Sequence, residues 1–128
     1  MLKDDFYIIN TIAAGDAAID AEITLQSLHA IYAGHFPGQP VVPGACMLQM
    51  VKEIITAALS TNVQLAKATD IKFVRMVNPV EGSALKLHIQ YTVAGELLNV
   101  TAIVFKENGP CLKAKLVFTS LKPLKGEI

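Results

Sequence analysis

From Ala17 to Thr24 the chain alternates. Ala17, Ile19, Ala21 and Ile23 fall on one side, and Ala18, Asp20, Glu22 and Thr24 on the other. A period of two predicts a strand with one face on a core. The preceding stretch, DFYIINTIAA, is rich in aromatic and β-branched residues and also reads as extended. Gly15-Asp16 is the turn expected between the two arms. The pattern changes after Pro43-Gly44. From Ala45 to Leu59 the polar positions Gln49, Lys52, Glu53 and Thr56 recur at spacings of three and four, so they share one narrow stripe of a helix. The rest of that helix is apolar, which predicts burial over most of its circumference. Thr61-Asn62 is expected to end it.

The remaining chain is strand-like again, with candidates at residues 65–77, 83–94, 96–106 and 111–121. Their breaks are Asn78-Pro79 with Glu81-Gly82, then Ala94-Gly95, then Asn108-Gly109-Pro110. Asn108-Gly109 is a hairpin signal. Residues 28–33, LHAIYA, fit a short helical turn. Two strands, one long helix and several antiparallel strands predict an α+β architecture, with a curved antiparallel sheet wrapped around one central helix.

Composition narrows the function classes. The 128 residues suit one domain and are 52% hydrophobic but only 17% charged, enough for a substantial core. The apolar excess suggests burial of some surface against another copy. Eleven basic and eleven acidic residues give a net charge of zero without blocks of like charge, which leaves little for nucleic acid to grip. Cys46 and Cys111 form neither a CxxC nor a zinc spacing, and read as reduced thiols. The N-terminus lacks the layout of a signal peptide, and no apolar run reaches the length of a bilayer span. These features predict a soluble, cytoplasmic protein without internal repeats.

The segment most suggestive of chemistry is HFPGQPVVPG, beginning at His35. Its prolines restrict the backbone around an imidazole, a group that titrates near neutral pH and suits proton transfer. The bland alternative is a histidine that packs a turn. His29 and His88 lack such a setting and read as surface or sheet residues.

HFPGQPVVPG strongly resembles the active-site loop of the β-hydroxyacyl-ACP dehydratases, matching at His35, Phe36, Pro37, Gly38, Pro40, Pro43 and Gly44. IKFVRMVNPVEGSALKLHIQY resembles that family's strand pair after the helix. The resemblance implies the hotdog fold and a homodimer joined edge to edge, with two sites at the subunit interface. A higher oligomer, or a heterodimer with a paralogue, is compatible with it. The implied substrate is a β-hydroxyacyl chain on phosphopantetheine, carried by acyl carrier protein or coenzyme A. Water is removed to give a trans-2-enoyl thioester, without metal or redox cofactor. His35 would act as base, and Phe36, Gly44 and Ala45 would bind substrate. The Gly44 N–H would hold the thioester carbonyl, helped by the field of a helix start.

The chain departs from that pattern at one position. Fourteen residues after the histidine, where the family carries Glu or Asp, stands Gln49. A primary amide can hydrogen-bond a leaving hydroxyl but cannot protonate it, and losing such help typically costs about a hundredfold to ten-thousandfold in rate. The family order Glu/Asp-x-x-x-Gln reads here Gln49-Met50-Val51-Lys52-Glu53, as if acid and amide were exchanged. Glu53, one turn along the same face, is therefore the expected substitute acid, its neutral form favoured by apolar surroundings. Alternatively Glu53 pairs with Lys52, with a basic residue of a strand, or with a partner subunit. Cys46 near the helix start is a nucleophile in one reading and a packed side chain in the preferred one. Lys72 and Arg75 either meet a carrier's acids or phosphate, or are ordinary solvated strand charges.

Three functions follow as expectations. The first is a β-hydroxyacyl-thioester dehydratase in fatty acid or polyketide-like synthesis. The second is a non-catalytic or partner-dependent subunit of a heteromeric complex. The third is an acyl thioesterase, in which Gln49 orients a water.

Overall fold

The computed structural model describes residues 7–25, 44–75, 84–106 and 109–120. Their elements run β1 (Tyr7–Ala14), β2 (Ala18–Leu25), α1 (Gly44–Leu59), β3 (Val63–Phe73), β4 (Ala84–Ala94), β5 (Leu97–Lys106) and β6 (Gly109–Ser120). The strands form one antiparallel sheet in the order β1-β2-β4-β5-β6-β3. The helix and strand types match the sequence expectation. The helical turn expected at 28–33 lies outside the described residues.

The strand boundaries follow from local chemistry. Gly15 donates its N–H to Ala18 O at 2.8 Å, closing the turn between β1 and β2. Gly95, with φ of 64°, supplies the left-handed residue between β4 and β5. β3 stops at Phe73, four residues before the expected end. Beyond it, Val74 and Arg75 both direct their N–H groups at Cys111 O, at 2.8 and 3.3 Å. The Arg75 guanidinium donates to the carbonyls of Lys106 and Gly109 at 2.8 and 3.0 Å. The chain's only arginine thus fastens the end of β3 to the β5–β6 connection. Arg75 stays exposed, as a solvated charge does, while its guanidinium also serves the backbone.

The core lies between the sheet and α1. Alternate residues of the strands supply it: Ile19, Ala21 and Ile23 from β2, Leu85, Leu87 and Ile89 from β4, Leu98, Val100, Ala102 and Val104 from β5, and Leu112, Ala114, Leu116 and Phe118 from β6. The helix contributes Met47, Met50, Val51, Ile54 and Ile55, all at helical spacing. A buried aliphatic side chain of this size stabilises the fold by about 1.5–3 kcal/mol. At the helix end, Ser60 takes a left-handed φ of 54°, so the stop falls just before the expected Thr61-Asn62.

The expectation of a sheet wrapped around a central helix is not met. The sheet is open: β1 pairs with β2 and β3 with β6, and these two strands are its edges. Ala45 and Ala57 of α1 are exposed, and Gln49, Lys52 and Thr56 are half-buried, so the helix is covered on one side rather than encircled. A helix with its side chains is about 10–12 Å across, and sheets that close around one use about eleven strands. Six strands cover only one side. No helix of the described residues is long and apolar enough to cross a membrane.

Candidate functional site

The polar stripe of α1 faces a cavity of about 290 Å3, which Gln49, Lys52, Glu53 and Thr56 line together with Asn62, Val63 and Gln64 at the start of β3. Helical spacing brings these four side chains to one wall, as the sequence predicts. Glu53 is only 3% exposed, so its carboxylate depends on protein donors. Tyr7, buried on β1, donates its hydroxyl to Glu53 Oε1 at 2.9 Å. Gln49 donates its amide Nε2 to Glu53 Oε2 at 2.8 Å. A typical net hydrogen bond contributes about 0.5–1.5 kcal/mol, and leaving a buried polar group unsatisfied costs about 1–3 kcal/mol.

This arrangement fixes Gln49. Its nitrogen is turned to Glu53, so its carbonyl oxygen is the end of the amide offered to a ligand. A carbonyl oxygen accepts a hydrogen bond from a hydroxyl or a water and has no proton to give. Gln49 and Glu53 are thus brought together as one hydrogen-bonded unit on the wall of the cavity.

Tyr7 escaped the sequence reading because it lies 46 residues from Glu53. A signal existed on each side. A tyrosine in an apolar strand needs a partner for its hydroxyl, and a glutamate in an apolar helix needs a donor.

Gly44 and Ala45 form the first residues of α1, whose opening turn carries no acidic side chain. The N–H groups of a first helical turn lack partners within the helix, and their field favours negative charge. The Phe73 ring at the end of β3 lies over Gly44, and a Cβ built on Gly44 would stand 2.5 Å from Phe73 Cε1. The glycine therefore lets an aromatic ring approach the helix start. His35 and Phe36, the expected base and one expected substrate contact, lie outside the described residues, as does His29.

Cys46 and His88, also singled out from the sequence, have structural surroundings. Burial pushes the Cys46 thiol above its ordinary range, and Cys46 packs against the core, in keeping with a packed side chain rather than a nucleophile. His88 sits on β4, with Nδ1 2.6 Å from Asp20 Oδ1 across the strand pair. Lys72 is exposed on β3.

Comparison with known proteins gives these features a family context. The family model described as ApeI-like, ApeI dehydratase, matches residues 11–106. The 3-hydroxyacyl-(acyl-carrier-protein) dehydratase FabZ of Lactiplantibacillus plantarum is 32% identical over 68 residues, which cover 48% of this chain and 45% of that protein. The chain thus spans about half the length of the curated relative it matches. Among solved structures, the dehydratase heterocomplex ApeI:P from Xenorhabdus doucetiae superposes with a TM-score of 0.71 at 19% identity, covering 88% of this chain and 96% of that one. An uncharacterised protein from Pyrococcus horikoshii gives 0.67 at 19% identity, covering 92% and 85%. At such identities these structures establish the shared hotdog-like fold.

Proposed function

Because this chain belongs to the ApeI-like family of dehydratases, we propose that it is a partner-dependent dehydratase subunit, which completes a β-hydroxyacyl-thioester site with a second, related chain. One observation carries the reading: Glu53 is buried and accepts hydrogen bonds from Tyr7 and Gln49. The position where the resembling dehydratases hold an acid therefore carries an amide, and the carboxyl group one turn along the same cavity wall is engaged by Tyr7 and by that amide. In this reading His35 removes the proton next to the thioester carbonyl. Gln49 accepts a hydrogen bond from the β-hydroxyl and aligns it, and the first-turn N–H groups at Gly44 and Ala45 steady the charge on the thioester oxygen. The proton for the departing hydroxide comes from the partner's acid.

Two further points favour a paired assembly. The similar Xenorhabdus structure is itself a dehydratase heterocomplex. β3 is an unpaired sheet edge that carries exposed Leu65, Phe73 and Val74 at or beside it, and such an edge is open to strand addition by another chain. The runner-up is a self-sufficient homodimer in which Glu53 acts as acid, directly or through a water.

The test is turnover of a short β-hydroxyacyl thioester, with enoyl absorbance and free acid followed together. The subunit alone is expected to run at least about a hundredfold below its Gln49→Glu variant, in line with a missing general acid. Co-expression with a paralogous dehydratase chain should restore the rate, and His35→Ala should remove it again. Full turnover by the isolated chain, lost in Glu53→Gln, would establish the runner-up instead. Free acid as the product would mean a thioesterase.

A further inference from the structure

The face of the sheet turned away from α1 carries its charge unevenly. Register identifies the outward residues, since alternate positions of a strand share a face. On β2 and β4, Asp20 stands opposite His88 and Glu22 opposite Lys86. Both pairs are in contact, at 2.6 and 3.5 Å.

On β3 and β6 the arrangement differs. Lys67, Asp70 and Lys72 point outward from β3, and Lys113 and Lys115 from β6, all of them exposed. Asp70 is opposite Lys115, but Lys72 is directly opposite Lys113. Among the described residues, no ion pair reaches Lys67, Lys72, Lys113 or Lys115. Like charges directly opposed across a strand pair destabilise a sheet. A chain of zero net charge thus gathers four unpaired lysines around one aspartate on half of one face.

The neighbourhood of these lysines resembles the rim and centre of a protein interface. Val117 lies opposite Lys67, and Ile103 opposite Lys113, both half-buried and apolar. Beside Lys115 opens a groove of about 280 Å3 lined by apolar residues such as Tyr91, Val100 and Val117 together with polar ones such as Thr69, Thr92 and Asn99. An apolar patch rimmed by charge and flanked by hydrogen-bonding groups suits a folded protein surface. Four point charges fall short of the roughly six to ten phosphate contacts that sustain strong nucleic-acid binding.

We propose that the outward face of β3 and β6 docks the acidic surface of a protein partner through Lys67, Lys72, Lys113 and Lys115. The sheet itself separates this platform from Gln49 and Glu53, so the contact anchors the chain in an assembly without touching its chemistry.

A helical glutamate-rich peptide, titrated calorimetrically into the full chain, tests the proposal. Binding should weaken at least about tenfold when salt rises from about 20 to 300 mM, as screening shortens the reach of surface charge. K113E/K115E should weaken it by at least about tenfold at low salt, while K86E on the paired half of the face should leave it unchanged. K115E sets a carboxylate opposite Asp70, whereas K113E sets one opposite Lys72, so K113E alone should also weaken binding while its melting temperature holds or rises, which separates lost binding from lost folding. The proposal is overturned if the unmodified chain does not bind the peptide, or if K113E/K115E binds as well. Tighter binding to phosphatidylserine vesicles or to RNA than to the peptide would also overturn it.

Discussion

Gln49 and Glu53 lie one helical turn apart and are joined by a 2.8 Å hydrogen bond from the amide to the carboxylate. The same carboxyl group receives the hydroxyl of Tyr7 from β1, so a single buried acid ties the helix to an edge strand and engages the Gln49 amide one turn earlier.

Tyr7→Phe removes one donor from that acid and leaves the ring in place. The expected cost is about 1–3 kcal/mol of stability, typical of removing one partner from a buried hydrogen-bonding group. Urea unfolding would measure it. If the Tyr7 hydroxyl merely packs, the midpoint will not move.

Gly44→Ala sets a Cβ against the Phe73 ring. Phe73 is 57% exposed, so the ring can swing away, and the stability cost should stay below about 1 kcal/mol on the scale of mild overpacking. A double-mutant cycle with Phe73→Ala should cancel the steric part of that cost. Equal losses with and without the ring would show that Gly44 is needed for another reason.

Ser60→Gly should stabilise the protein by about 0.5–1 kcal/mol. A serine held at a left-handed φ carries a steric cost that glycine avoids, and the position after a helix end favours glycine. Thermal denaturation at matched concentration would show the gain, and a lower melting temperature would contradict it.

Cys46 should alkylate slowly at neutral pH. Burial raises its pKa above the ordinary thiol value, so the thiolate fraction that reacts is small, and the rate should keep climbing as pH passes beyond that value. Cys111, fully buried, should stay unmodified until the chain unfolds. Rapid labelling of Cys46 at pH 7, measured by mass spectrometry, would contradict this assignment.

The local parts of the structure were legible in the sequence because they depend on spacing. The period of two in β2 and the stripe of Gln49, Lys52, Glu53 and Thr56 each lie within one element, and both came out as read. Features made by two distant elements were not legible. Tyr7 meets Glu53 only because β1 and α1 pack together, and Lys72 faces Lys113 only through the register of β3 on β6. The openness of the sheet belongs to the same group. Alternation shows that a strand has one buried face, but not whether the outermost strands meet. The HFPGQPVVPG motif supplied the family resemblance, although His35 and Phe36 lie outside the described residues.

Strand order also sets a timetable. β4, β5 and β6 are neighbours both along the chain and in the sheet, so their ladders close over short loops. β2 reaches β4, and β3 reaches β6, only across long stretches of chain. Closing a longer loop costs more entropy, and non-local pairings form late. The β4–β5–β6 meander is accordingly expected to form before the two flanks assemble on it. Its amide hydrogens should be the last to exchange with solvent, and those of β3, held by one neighbour, among the first.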